Sequence, residues 1–153
     1  MSSVSYQKKR IEECLRENIQ INEREAQIEA ENILKFGLKK PSSFFISNQK
    51  RNIDKTQEEF ILYILKKRIK HEPLAYIFNE WDFYGETFYL DKNSLIPRQD
   101  TELLIDLVLK RYDKGSKLNI LDLRTGSGVI GIILSKLYSN SMITISDISS
   151  KAL

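Results

Sequence analysis

The chain has 153 residues, 41% of them hydrophobic and 29% charged, enough for one or two small domains with cores of their own. Its 24 basic and 21 acidic residues leave a net charge of +3, too small to argue for a nucleic acid partner, and no direct nucleic acid binding is expected. The single cysteine, Cys14, excludes an intramolecular disulfide and suits a reducing cytoplasm, and neither a leader nor an apolar run of about 18 residues argues for export or a membrane span.

In chain order, the first half reads as helical. Ile11, Leu15 and Ile19 recur at helical spacing within residues 6–19 and form one stripe of an amphipathic helix. Asn22-Glu-Arg-Glu25 resembles a capping box; Ala26, Ala30, Ile33 and Leu34 then share a face, and Gly37 supplies the stop. Pro41 opens a short segment whose Phe44, Phe45 and Ile46 are expected to plug the bundle. Thr56-Gln-Glu-Glu59 reads as a second capping box, ahead of Phe60, Ile61, Ile64, Leu65 and Ile69, with Pro73 ending the helix. About four helices make a small bundle. Lys66, Lys67, Arg68 and Lys70 form a basic patch, read as a solvated face suited to a helix C-terminus or, alternatively, as a surface for an RNA or ribosome-bound partner.

Two alternating aromatic runs follow, residues 81–85 and 87–90, read as a hairpin about Gly85-Glu86. Their aromatic side chains suit a core or the wall of a pocket. Pro97-Arg98 and Thr101-Glu102 precede a helix bearing Leu103, Leu104, Leu107 and Val108. Thr101 as an N-cap, with Arg98 and Glu102 as a surface pair, is one reading of that segment; a pocket border is the other.

Residues 118–123 suit a buried strand, and Val129, Ile132, Ile133 and Leu137 continue as one helix face. Between them stand Arg124, Thr125, Gly126, Ser127 and Gly128. Glycine admits positive φ and lets a ligand approach the backbone, while the amides and dipole of the helix start favour an acceptor there. A second strand, residues 142–146, ends at Asp147, roughly the 20-residue separation at which dinucleotide sites place an acid on a ribose hydroxyl. A purely structural strand-to-helix turn, and Asp147 as a helix N-cap, are the alternatives.

Four collinear segments then carry a resemblance: His71-Glu-Pro-Leu-Ala-Tyr-Ile-Phe-Asn-Glu-Trp-Asp-Phe-Tyr-Gly85, Leu95-Ile-Pro-Arg-Gln-Asp-Thr-Glu102, Ile120-Leu-Asp-Leu-Arg-Thr-Gly-Ser-Gly128, and Ser146-Asp-Ile-Ser with Ala152-Leu153. In order and content they resemble the release factor glutamine methyltransferases of the HemK/PrmC type, from about residue 5 onward. The resemblance implies an α + α/β chain: a helical release-factor-docking domain over 1–78, a β-hairpin linker over 79–95, and over 96–153 the first two βα elements of a truncated, incomplete Rossmann-like S-adenosylmethionine-binding methyltransferase domain. It implies transfer of a methyl group from S-adenosylmethionine to the side-chain amide nitrogen of the glutamine in the Gly-Gly-Gln motif of peptide chain release factors. Arg124, Thr125, Gly126, Ser127, Gly128 and Asp147 are the implied cofactor-binding residues, and Arg98, Thr101 and Glu102 the implied substrate-pocket residues; no metal site is implied.

The sequence also departs from that family. Its Asn-Pro-Pro-Tyr motif, which holds the glutamine amide, does not occur in these residues, so no catalytic residue is assigned. Arg124 stands where the first glycine of the turn is expected, and His71 and Asn79 also stand at family glycine positions. Two functional readings result: a methyltransferase part needing a complementing C-terminal half, or a non-catalytic module that binds a release factor.

Overall fold

The computed structural model describes residues 2–152 and divides the chain into two compact units, Met1–Phe78 and Asn79–Leu153. The first contains α1 (Val4–Ile19), α2 (Glu23–Leu38), α3 (Ser42–Ser47), α4 (Lys55–Arg68) and α5 (Leu74–Phe78). Periodicity placed α1, α2 and α4 correctly because their stripes are what the core requires. Ile11 and Leu15 of α1, Ala26, Ala30, Ile33 and Leu34 of α2, and Ile61, Ile64 and Leu65 of α4 are buried together. Each fully buried Leu or Ile contributes about 1.5–3 kcal/mol. Cys14 lies at the edge of this core, where burial pushes its thiol pKa up and leaves it a packing group rather than a nucleophile.

Local details shift several expectations. The capping box at Asn22 and Glu25 forms, but the second one is Asp54 with Gln57: Asp54 Oδ1 accepts from Gln57 N at 2.8 Å, and Gln57 Oε1 accepts from Asp54 N at 3.2 Å. Asp54 is the better cap because a carboxylate also favours the helix N-terminal dipole. Gly37 is not the stop of α2. The helix runs one residue further and ends on Lys39 at φ 51, while Gly37 sits where a Cβ would come within 2.6 Å of Ile61 Cγ1. Its glycine serves close helix packing. Of the proposed plug, Phe45 packs on the core but Ile46 is 77% exposed, since a six-residue helix buries one side only. The basic patch is partly neutralised: Arg68 makes a bidentate pair with Glu29 at 2.7 and 2.9 Å, and Lys67 pairs with Glu72 at 3.5 Å.

The second unit contains β1 (Glu80–Phe83), β2 (Glu86–Tyr89), α6 (Glu102–Arg111), β3 (Asn119–Leu123), α7 (Val129–Leu137) and β4 (Met142–Ser146). β1 and β2 pair antiparallel about Tyr84-Gly85, one residue earlier than read, with φ of 51° and 75° as a type I′ turn demands. β3 and β4 pair parallel, Asn119 opposite Met142 through Leu123 opposite Ser146. Phe83, Ile105, Val129, Ile133, Leu134 and Tyr138 form the core of this unit, with the Tyr138 hydroxyl donating to the Tyr112 carbonyl at 2.8 Å. On α6, the helix expected to bear Leu103, Leu104, Leu107 and Val108, only Ile105 is buried, and Leu103, Leu104 and Leu107 are exposed. Among the described residues no helix is long and apolar enough to cross a membrane.

Gly37→Ala measures how tight the α2 to α4 contact is. Alanine restores about 1 kcal/mol of helix propensity, while the collision with Ile61 costs about 1–3 kcal/mol. A net loss of about 1 kcal/mol is expected in urea unfolding with an unchanged slope, and a more stable variant would show the contact to be slack.

Candidate functional site

The site begins with a carboxylate one residue before the end of β3. Asp122 Oδ2 accepts from Thr125 Oγ1 at 2.6 Å and from Gly131 N, in the first turn of α7, at 3.0 Å. Gly128 is the N-cap of α7 and has no side chain to cap with, so the strand supplies the missing acceptor. Gly131 itself is fixed by packing, because a Cβ there would collide with the Ile145 side chain of β4. Sequence reading passed over Asp122; the signal was a lone carboxylate in an apolar strand just before the turn.

The turn from β3 to α7 alternates hand. Arg124, Gly126 and Gly128 have φ of 61°, 57° and 75°, with Thr125 N donating to Ser146 O and Gly128 N to Thr125 O, both at 3.0 Å. The first of these bonds continues the β3 to β4 ladder by one step and holds the turn against the end of β4. Asp147, directly after β4, receives Gly126 N on Oδ2 at 2.8 Å and Ser149 N on Oδ1 at 2.9 Å. These amides, Ser149 first and then Gly126, hold its carboxyl below the ordinary value, with the Arg124 charge a minor contributor. The space above Gly126 is open, no atom lying within 4 Å of where a Cβ would stand. Half-buried Ser127 completes the segment before α7.

The structure therefore brings Arg124, Thr125, Gly126, Ser127 and Gly128 together with Asp147. It does not join Arg98, Thr101 or Glu102 to them by a hydrogen bond or ion pair among the described residues. Thr101 closes a short 3₁₀ turn (Gln99–Thr101) and makes no capping bond, and exposed Arg98 forms no pair with Glu102. Glu102 is spent on the hairpin: its Oε1 accepts from Tyr84 N at 2.8 Å, while the Tyr84 hydroxyl donates to Asp106 Oδ1 at 2.8 Å. The bond to Asp106 also pushes the Tyr84 pKa up. Together these contacts hold a bulky residue at positive φ, where turns prefer Asn, Asp or Gly.

Comparison with known proteins adds the family. Residues 9–78 match the PrmC N-terminal domain. The chain is a homologue of the release factor glutamine methyltransferases. It is 42% identical over 105 residues to the release factor glutamine methyltransferase of Flavobacterium psychrophilum, a match covering 67% of this chain and 36% of that protein. It is 33% identical over 121 residues to that of Clostridium acetobutylicum, covering 79% of this chain and 42% of that protein. A bifunctional methyltransferase of Rickettsia bellii is 34% identical over 152 residues, covering 82% of this chain and 27% of that protein. The chain thus spans between 27% and 42% of the length of these relatives.

The turn geometry makes two expectations. Arg124→Gly removes a side chain from the left-handed region and should stabilise the second unit by about 1 kcal/mol in chemical denaturation; an unchanged or lowered midpoint would place the strain elsewhere. Because Asp147 has a lowered folded pKa, its contribution to stability is complete above the ordinary aspartate value of the unfolded chain and is lost as pH falls through the folded value. Asp147→Asn should therefore flatten the acid limb of the stability profile, and a carboxyl titrating at the ordinary value by NMR would contradict this.

Proposed function

We propose that this chain supplies the release-factor-docking helical domain (1–78), the hairpin segment (79–95) and the opening elements of the Rossmann-like cofactor domain (96–153) of an S-adenosylmethionine-dependent protein-glutamine methyltransferase. The observation that carries this reading is the turn of residues 124–128, left-handed at three positions, seated against the acid that follows β4. Family membership directs that turn toward S-adenosylmethionine, and proteins named release factor glutamine methyltransferase direct the helical domain toward a release factor.

The residues present fit such a cofactor at the turn. The open face over Gly126 admits a ligand to the backbone, as a side-chain-bearing residue would not. Thr125, Gly126, Ser127 and Gly128 would line the cofactor, with Asp147 on its polar end. Arg124, exposed, would meet its carboxylate. When bound, the cofactor supplies an electrophilic methyl group on a sulfonium. The chain's own contribution is orientation: Asp122 fixes the first turn of α7, and Asp147 fixes the Gly126 amide. Proximity and alignment are the main catalytic resource for a nucleophile as weak as an amide nitrogen. The Asn-Pro-Pro-Tyr group that would hold the glutamine amide does not occur in these residues. Arg98, Thr101 and Glu102 remain proposed borders of the substrate pocket, Glu102 through the hairpin turn it holds.

One observation favours a second reading, a release-factor-binding module without catalysis. Asp147 already spends both oxygens on backbone amides, and Arg124 occupies a glycine position. Calorimetric titration with S-adenosylmethionine separates the two. Micromolar binding by this chain, with methyl transfer to an unmodified release factor once the C-terminal portion of a relative is added, is expected of the first reading. Release factor binding without any cofactor binding would establish the second.

A further inference from the structure

Lys40 and Arg51 reach one aromatic ring from two separate segments of the helical unit. Lys40 Nζ lies 5.6 Å, and Arg51 Cζ 5.4 Å, from the centroid of Phe44. The backbone around both cations is fixed. Lys40 N donates to Lys35 O at 3.2 Å at the end of α2, and Arg51 O accepts from Val4 N at 2.9 Å at the start of α1. Between them opens a cavity of about 240 Å³ with an apolar floor of Val4, Leu38 and Ile53, all buried residues.

Among the described residues no carboxylate lies within 4.0 Å of either cation, although Arg68 and Lys67 of the same unit each have one. Asp54 is the one carboxylate in the lining, and its Oδ1 is engaged as the cap of α4. A cation over an aromatic face is oriented and partly desolvated while keeping its full charge. A pair of them above an aliphatic floor is complementary to a carboxylate carried next to an apolar group.

We propose that this cleft docks an acidic side chain, with an apolar neighbour, from a protein partner. The identity of that partner as a release factor rests on the function proposed above; the chemistry of the cleft does not. A nucleic acid fits less well. The aliphatic floor offers a ribose nothing to bond, and the volume lies below the roughly 300 Å³ at which small-molecule pockets begin.

The test titrates the ¹⁵N-labelled chain separately with acetyl-Glu-Leu-Glu amide, inorganic phosphate and a short oligouridylate. The peptide is expected to shift the amides of Lys40, Phe44, Arg51 and Ile53, and the shifts should vanish in the Lys40→Gln, Arg51→Gln double variant. Among the described residues neither side chain is paired beyond the Phe44 ring, so the variant should stay folded with its unfolding midpoint lowered only slightly. No shift with the peptide, or an equal shift with phosphate or oligouridylate, overturns the proposal. In parallel, calorimetry with an unmodified release factor should show affinity about tenfold lower or worse for the double variant. Equal affinity for the variant would remove the release factor as the occupant while leaving its docking elsewhere intact. No binding to the wild-type chain at all would instead overturn the docking function itself, and the peptide titration would then decide the cleft by itself.

Discussion

The second unit depends on a single carboxylate placed inside an apolar strand. Asp122 bridges the end of β3 to Thr125 and to the first turn of α7, so the direction in which the helix leaves the sheet is set by a side chain and not by the turn alone. With α7 fixed, Gly131 can approach Ile145 of β4 closely, and Val129, Ile133 and Leu134 face the core shared with Phe83 and Ile105. A charged group in that position is tolerated because it is half-buried and doubly hydrogen-bonded, where an unpaired carboxylate would be expensive.

Backbone strain is distributed in a telling way. His71, Asn79 and Arg124 adopt φ of 65°, 56° and 61°, the left-handed region that favours glycine, and all three are positions at which the resemblance leads one to expect glycine. Asn79 is the mildest case, and its side-chain amide donates to the Leu90 carbonyl at 3.2 Å, which anchors it locally. Arg124 is the most consequential, since it lies at the mouth of the turn. Tyr84 shows how a non-glycine residue is held at positive φ: Glu102 takes its amide and Asp106 its hydroxyl.

The helices were legible in the sequence because their apolar stripes and one capping box express the same physics that packs them. Gly37 was misread since a glycine near a helix end and a glycine at a helix crossing look alike without knowledge of Ile61. The turn at residues 124–128 and its distance from Asp147 were legible from spacing, but the internal use of Asp147 was not, because its partners are backbone amides that carry no residue identity. Glu102 was read as half of a surface pair with Arg98 or as a pocket border, whereas its observed partner, the Tyr84 backbone amide of the hairpin, could only be found in three dimensions. Leu103, Leu104 and Leu107 satisfied the helical pattern, yet the pattern cannot say which of two apolar sides meets the core.

That last ambiguity bears on the parallel pair. In β3 the half-buried Ile120 and Asp122 alternate with Leu121 and Leu123, which are 62% and 68% exposed. Their register partners on β4 follow the division over the first half of the strand, half-buried Ile143 lying opposite Ile120 and exposed Thr144 opposite Leu121, whereas Ile145, opposite Asp122, is 40% exposed. Parallel strands are ordinarily apolar on both faces because both are covered. Here the residues of β3 suit two covered faces, while among the described residues Leu121 and Leu123 lie exposed on the face away from the core. The same sheet edge that presents the turn and Asp147 thus carries apolar side chains whose composition fits further packing layers. A ligand site at the ends of parallel strands gains its low-dielectric walls from such layers, so the geometry of the turn is set by β3, β4 and α7, and its affinity by what covers Leu121 and Leu123.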